Sequence, residues 1–254
     1  MKLLLSNDDG VFASGIQALA RGLKDEHTLF ISAPDAERSA VSRSMTLFSP
    51  LRAQAVTLEG LPEVPAYAVS GTPVDCVRLG LGNLFEAPDM VISGINLGHN
   101  LGTDVLYSGT VGAAHEAALL GRQAIAVSIC SFAPEHFETA VYAAKWGIAY
   151  LSAHPLPFGT LLNINVPDIP VEEVKGFRAG PTGVVRYTLR YVERKDPSGR
   201  PYYWPPRGRS FEESSSPDCD ERCIMEGYIS VTPLGYDLTD YSLLAAMKAD
   251  GALE

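Results

Sequence analysis

Apolar runs of strand length punctuate the chain at residues 2–6, 28–33, 66–70, 90–93, 124–129, 161–166 and 228–231. Several, such as Leu3-Leu4-Leu5 and Ala124-Ile125-Ala126-Val127, are continuously apolar instead of alternating with polar residues. Strands of that kind belong to a sheet covered on both faces. Helical spacing lies between them. Ile16, Leu19, Ala20 and Leu23 share one face of a helix opened by Ser14-Gly15-Ile16-Gln17, which has the form of a capping box. Thr72-Pro73 sets a cap residue before a first-turn proline, and Val74, Val77 and Leu81 follow on one side. Thr110 precedes a helix over 111–120 that Gly121 stops, and Phe137, Val141, Ala144, Ile148 and Leu151 mark a fourth. Strands alternating with helices predict an α/β fold with a mostly parallel sheet between helical layers, wound by right-handed crossovers.

From about 184 to 211 the pattern changes. Val185-Arg186-Tyr187-Thr188-Leu189-Arg190-Tyr191-Val192 mixes cations with aromatic and β-branched residues, Asp196-Pro197-Ser198-Gly199 is a turn, and Tyr202-Tyr203-Trp204 follows. This predicts a two-stranded hairpin within an arm over about 184–223, projecting from one domain whose core spans about 1–183 and 224–254. A basic aromatic ribbon can bind RNA. An isolated hairpin is only marginally stable, so packing on a partner subunit is the favoured reading.

Composition narrows the class. The 254 residues are 46% hydrophobic, enough for a sizeable core, and no apolar run is long enough to cross a membrane. Met1-Lys2-Leu3 opens too short an apolar run for a signal peptide, so the expected location is the cytoplasm. Cys76, Cys130, Cys219 and Cys223 are too few for a disulfide scaffold. Cys219 and Cys223 have no neighbouring histidine, and free thiols are the favoured reading over zinc. The net charge of −10 argues against a general nucleic-acid binder. An acidic protein that handles phosphate needs local positive charge, which a bound cation supplies.

Four segments put polar side chains at predicted strand ends, where open α/β sheets bind ligands. Asn7-Asp8-Asp9-Gly10 presents two adjacent carboxylates, which repel unless a proton or cation lies between them. It reads either as a solvated turn or as an oxygen-rich site for a hard divalent ion. Ala33-Pro34-Asp35-Ala36-Glu37-Arg38-Ser39 reads as a strand exit with solvated charges. In Ser93-Gly94-Ile95-Asn96-Leu97-Gly98-His99-Asn100, Asn96 offers a neutral oxygen ligand and an N–H donor, and His99 reads as an exposed loop residue. Tyr107-Ser108-Gly109-Thr110-Val111-Gly112-Ala113-Ala114 opens a helix with small residues, as a phosphate-binding terminus or a closely packed cap would. No G-x-S-x-G elbow or Cys-His pairing is evident, so metal-assisted hydrolysis accounts for more of these residues than covalent catalysis does.

Taken in order, these segments, with Gly71-Thr72-Pro73-Val74-Asp75-Cys76-Val77, Leu162-Asn163-Ile164-Asn165-Val166-Pro167 and Glu226-Gly227-Tyr228-Ile229-Ser230-Val231-Thr232-Pro233-Leu234, resemble the SurE family of survival-protein nucleotidases. The resemblance covers nearly the whole chain. It implies a Rossmann-like core, a projecting hairpin, and a C-terminal segment exchanged within a homodimer or homotetramer. It also implies a cytoplasmic metal-dependent phosphohydrolase acting on nucleoside 5′- and 3′-monophosphates, with short polyphosphate as a further substrate. One divalent ion per subunit, Mg²⁺ or Mn²⁺, would be held by Asp8, Asp9, Ser39 and Asn96. Ser108, Gly109 and Thr110, with Asn96, would hold the phosphate, and Asp8, Asp9 and Asn96 would be catalytic. Two rivals remain. A haloacid-dehalogenase-type phosphatase would use a covalent aspartyl-phosphate, although that family spaces its aspartates as D-x-D. A nucleotide-sensing scaffold would use the basic arm and turn nothing over.

Overall fold

The computed structural model describes residues 1–187, 190–205, 209–211 and 216–250. In chain order it contains β1 (Lys2–Ser6), α1 (Ser14–Leu23), β2 (Thr28–Pro34), β3 (Ala53–Leu58), β4 (Leu61–Val69), α2 (Pro73–Leu79), β5 (Met90–Leu97), α3 (Gly109–Leu119), β6 (Gln123–Ile129), α4 (Phe137–Ala153) and β7 (Leu161–Val166). Then come β8 (Phe177–Ala179), β9 (Val185–Tyr187), β10 (Val192–Lys195), β11 (Pro201–Trp204), β12 (Arg209–Phe211), α5 (Asp220–Met225), β13 (Ile229–Leu234) and α6 (Tyr241–Ala249).

The main sheet runs β3-β4-β2-β1-β5-β6-β7-β13-β8. Every pairing from β4 across to β7 is parallel. Within this sheet, among the described residues, antiparallel pairing is confined to β3 on β4 and β13 on β7. The chain builds outward from β1 through β2 to β4, then returns to lay β5, β6 and β7 on the other side. The strand order therefore reverses between β1 and β5, and that switch point is where such sheets open a crevice for ligands.

Successive strand residues face opposite layers, which explains the continuous apolar runs. Leu3 and Leu5 pack in one cluster with Ile16, Leu19 and Leu23 of α1 and Ala144 and Ile148 of α4. Leu4 packs in the other with Val77 of α2 and Val111, Ala114 and Ala117 of α3. The predicted three-layer α/β class is what the structure has.

Several local expectations change. β3 and β8 were not anticipated: β3 is mostly exposed and β8 is short, so neither carries an apolar run. The capping box at Ser14 is absent. Ala13 is the N-cap with no side-chain bond, and Gln17 Nε2 instead donates to the Phe12 carbonyl at 2.9 Å. The capping box lies at α2, where Thr72 and Asp75 bond reciprocally, and Leu81 falls in a separate turn after that helix. Ser108, not Thr110, caps α3 by accepting from Val111 N at 3.1 Å. The hairpin is present as antiparallel β10 and β11, with every residue of both strands exposed. Residues 188–189, 206–208 and 212–215 of the expected arm lie outside the described residues. Among the described residues no disulfide joins any of the four cysteines. Among the described residues no helix is long and apolar enough to cross a membrane.

Candidate active site

β1 delivers Asp8 and Asp9 to the switch point, and β5 delivers Asn96 beside them. β5 bulges to do so: its register with β6 shifts between Ser93 and Asn96. A bulge re-aims the side chains that follow it. Gly94 permits this one, because its φ is +139° and a Cβ there would lie 2.3 Å from the Val127 carbonyl oxygen. α1 presses on the same bulge, since a Cβ on Gly15 would sit 1.9 Å from the Ile95 oxygen.

α3 supplies the other wall. Thr110 is fully buried and donates twice to Asp8: its N–H to Oδ2 at 3.0 Å and its hydroxyl to Oδ1 at 2.5 Å. The same hydroxyl lies 3.3 Å from Asn96 Oδ1. Asn96 Nδ2 donates to the Gly98 carbonyl at 2.7 Å, which turns its amide oxygen toward Thr110. Gly109 lets the helix start come this close, as a Cβ there would be 2.9 Å from both Cβ and Oδ2 of Asp8.

The two carboxylates are under electrostatic load. Burial raises the pKa of Asp8 despite the opposing bonds from Thr110. Burial, then the charges of Asp8 and Glu37, push Asp9 up to about 6, against one opposing bond from Leu97 N at 3.3 Å. In this pair, Asp8 buried and Asp9 half-buried, the raised pKa values mean that ionisation is disfavoured until an opposite charge approaches. Two carboxylates, an amide oxygen and a hydroxyl form an all-oxygen donor set, which fits a hard divalent cation. Among the described residues no three His, Cys, Asp or Glu side chains converge on a metal position.

An open cleft of about 570 Å³ lies beside this donor set, and of the expected residues Asp9, Gly109 and Thr110 do not line it. Asp8, Ser39, Asn96 and Ser108 line it, together with His99, Asn100, Asp104, Tyr107, Phe132 and Tyr187. Ser39 reaches the cleft on an exposed loop, and its hydroxyl donates to Glu37 Oε1 at 2.7 Å, leaving its oxygen lone pairs for another partner. The loop is tied to the floor by Arg38 N, which donates to the Asp8 carbonyl at 2.7 Å. The N–H of Thr110 points at Asp8, a different partner from the phosphate the sequence suggested. His99 is not an open loop residue: its side chain is 14% exposed and its Nε2 lies 3.7 Å from Asp104 Oδ2.

Sequence reasoning gave no role to the polar scaffold behind the cleft. Asn165 Oδ1 accepts from Asn100 N at 2.8 Å, and Asn163 and Asn165 both donate to the Asn100 carbonyl. Asn100 Nδ2 donates to Ser128 Oγ at 2.8 Å. Asparagines interrupting the apolar run of β7 were the available signal, because buried amides require partners.

Comparisons with known proteins agree with this architecture. The family model described as Survival protein SurE matches residues 3–189. A 5'-nucleotidase SurE of Synechococcus elongatus is 47% identical over 97% of this chain and 98% of its own length. One of Nitrosococcus oceani is 46% identical over 96% of this chain and 95% of its own. The crystal structure of the SurE protein from Aquifex aeolicus superposes with a TM-score of 0.82 at 35% identity, covering 99% of this chain and all of that one. The chain belongs to the SurE family.

Proposed function

We propose that this chain is a 5′-nucleotidase that hydrolyses nucleoside monophosphates with a divalent cation held by Asp8, Asp9, Asn96 and Ser39. The observation that carries the reading is the convergence of two charge-loaded aspartates with the Asn96 oxygen at the switch point of the sheet, in a cleft that Ser108 also lines. The names of the relatives, 5'-nucleotidase SurE, support the substrate class. When bound, Mg²⁺ or Mn²⁺ would polarise a phosphoryl oxygen and lower the pKa of a coordinated water.

The chain's own residues do the rest. Thr110 fixes Asp8 through both carboxylate oxygens, so its position is set before substrate arrives. The Gly98 carbonyl fixes the Asn96 amide, which retains a second N–H for a phosphoryl oxygen. Ser108 lines the cleft at the positive end of α3 and steadies the phosphate there. One of the two aspartates accepts the proton of the attacking water. The two aspartates are adjacent, unlike the D-x-D spacing of phosphatases that pass through an aspartyl-phosphate.

The reading extends to nucleoside 3′-monophosphates and short polyphosphate, for which the open cleft has room. It extends also to a homodimer or homotetramer. α6 buries none of its residues, and Leu238, Tyr241 and Leu243 are exposed at the C-terminal end, a surface that a second subunit would cover.

The test is hydrolysis of AMP by the purified chain with Mn²⁺ or Mg²⁺. The expected result is turnover that EDTA abolishes and that Asp8→Asn reduces by about a thousand-fold or more, as loss of a group acting on the transition state does. Wild-type-like turnover in Asp8→Asn, or full activity in EDTA, would end the reading.

A further inference from the structure

The cleft is larger than a phosphate requires, and one wall is built by the base of the arm. Tyr187, the last residue of β9, lines it with its ring half exposed. The ring is not left to rotate: its hydroxyl donates to Asp104 Oδ1 at 2.5 Å, and Asp104 is buried in the same wall. Asp104 belongs to the turn Gly102–Leu106, which carries the chain from β5 toward α3.

That turn is sutured to the arm. Asp220, the first residue of α5, is fully buried. Its Oδ2 accepts from Gly102 N at 2.8 Å and its Oδ1 accepts from Gly183 N at 2.9 Å. Thr103 Oγ1 donates to the Val185 carbonyl at 2.9 Å and accepts from Val185 N at 3.2 Å. A Cβ on Gly102, whose φ is +55°, would be 2.9 Å from the Gly183 carbonyl oxygen, so the two strands of chain touch backbone to backbone. A buried carboxylate, a hydroxyl pair and a glycine contact all fix where Tyr187 stands. None of this is needed to hold a cation or a phosphate.

We propose that Tyr187 is a specificity-determining residue that stacks on the base of the substrate, and that Asp104 and Asp220 are positioning residues that preorganise its ring. A ring held by its hydroxyl loses little entropy when a flat base settles on it, so the contact favours nucleoside monophosphates over phosphate esters without a base. The arm then contributes to substrate choice as well as to any subunit contact. The inference rests on the nucleotidase reading.

The test compares AMP with ribose 5-phosphate, which keeps the phosphate and the sugar and lacks the base. The readout is the ratio of the two kcat/KM values. Tyr187→Ala is expected to lower the preference for AMP by about ten-fold or more, the size of one lost base–aromatic stack. Tyr187→Phe keeps the ring without its anchor, and Asp220→Asn weakens the suture; each is expected to lower the ratio by about three-fold, mainly through the KM for AMP. A merely structural role would lower both substrates together and leave the ratio in place. A ratio unchanged in Tyr187→Ala, in a protein that turns over AMP, overturns the inference alone. A wild-type protein with no turnover of AMP overturns the nucleotidase reading and this inference with it.

Discussion

Two buried aspartates stand at the starts of neighbouring helices, and their electrostatics are opposite. Asp75, in the first turn of α2, accepts from Thr46 N at 3.0 Å, from Thr46 Oγ1 at 2.6 Å and from Thr72 N at 2.9 Å. Burial alone would raise its pKa, but these donors outweigh burial and leave it lowered. Asp8, which follows β1 and faces the start of α3, is bonded by Thr110 with weaker help from the Gly109 and Asp8 backbone, and has Asp9 for a neighbour; burial wins and its pKa is raised. The first carboxylate is a finished structural element. In the second, burial outweighs the hydrogen bonds and disfavours the ionised form, which a cation beside it would favour.

The contrast gives opposite signs for stability. A carboxylate whose folded pKa is lowered stabilises the fold above its unfolded pKa, and that contribution is lost as pH falls through the folded value. A raised carboxylate does the reverse: the unfolded chain ionises first, so stability falls as pH rises between the two values. For Asp9 the window runs from 3.8 to about 6. In metal-free solution at pH 7, Asp9→Asn is therefore expected to be more stable than wild type by about 2–3 kcal/mol, read from urea unfolding. Stability equal to or below wild type would break the comparison on the Asp8–Asp9 side.

On the other side, Asp75→Asn leaves the N–H and hydroxyl donors of Thr46 and Thr72 imperfectly matched. It is expected to cost about 2 kcal/mol of stability while kcat for AMP stays within about two-fold of wild type, since no step of the proposed reaction uses Asp75. A loss of turnover without a loss of stability would show that Asp75 does more than cap. The smallest effect sharpens the contrast within the site. Thr110→Val removes the hydroxyl from Asp8 and keeps the backbone donor, so Mn²⁺ affinity is expected to fall about ten-fold, measured by calorimetric titration, with the fold retained.

How much of this was legible in the sequence depended on where the information sat. The central strands and flanking helices were readable because burial on both faces leaves continuous apolar runs, as in Leu3-Leu4-Leu5. Edge strands β3 and β8 left no such trace. Asp8, Asp9 and Asn96 lie in strand-end segments that are each ambiguous alone, and the family resemblance singled them out; the structure sets Asp8 and Asn96 around the Thr110 hydroxyl and Asp9 against Leu97 N. What the sequence could not show was which group bonds which. Thr110 turns inward to Asp8, Ser108 takes the cap, and His99 folds against Asp104. Those outcomes depend on the bulge at Gly94 and on contacts between residues as far apart as Gly102 and Asp220, which no local pattern encodes.

The central claim is that the carboxylate pair is incomplete without a divalent cation. Thermal unfolding of wild type and of Asp8→Asn, each in EDTA and in excess Mn²⁺, tests it directly. Binding to the folded state alone raises the midpoint by mass action, so Mn²⁺ is expected to raise that of wild type by several degrees and to leave that of Asp8→Asn where it is in EDTA. An equal rise in both proteins, or none in wild type, would contradict the account.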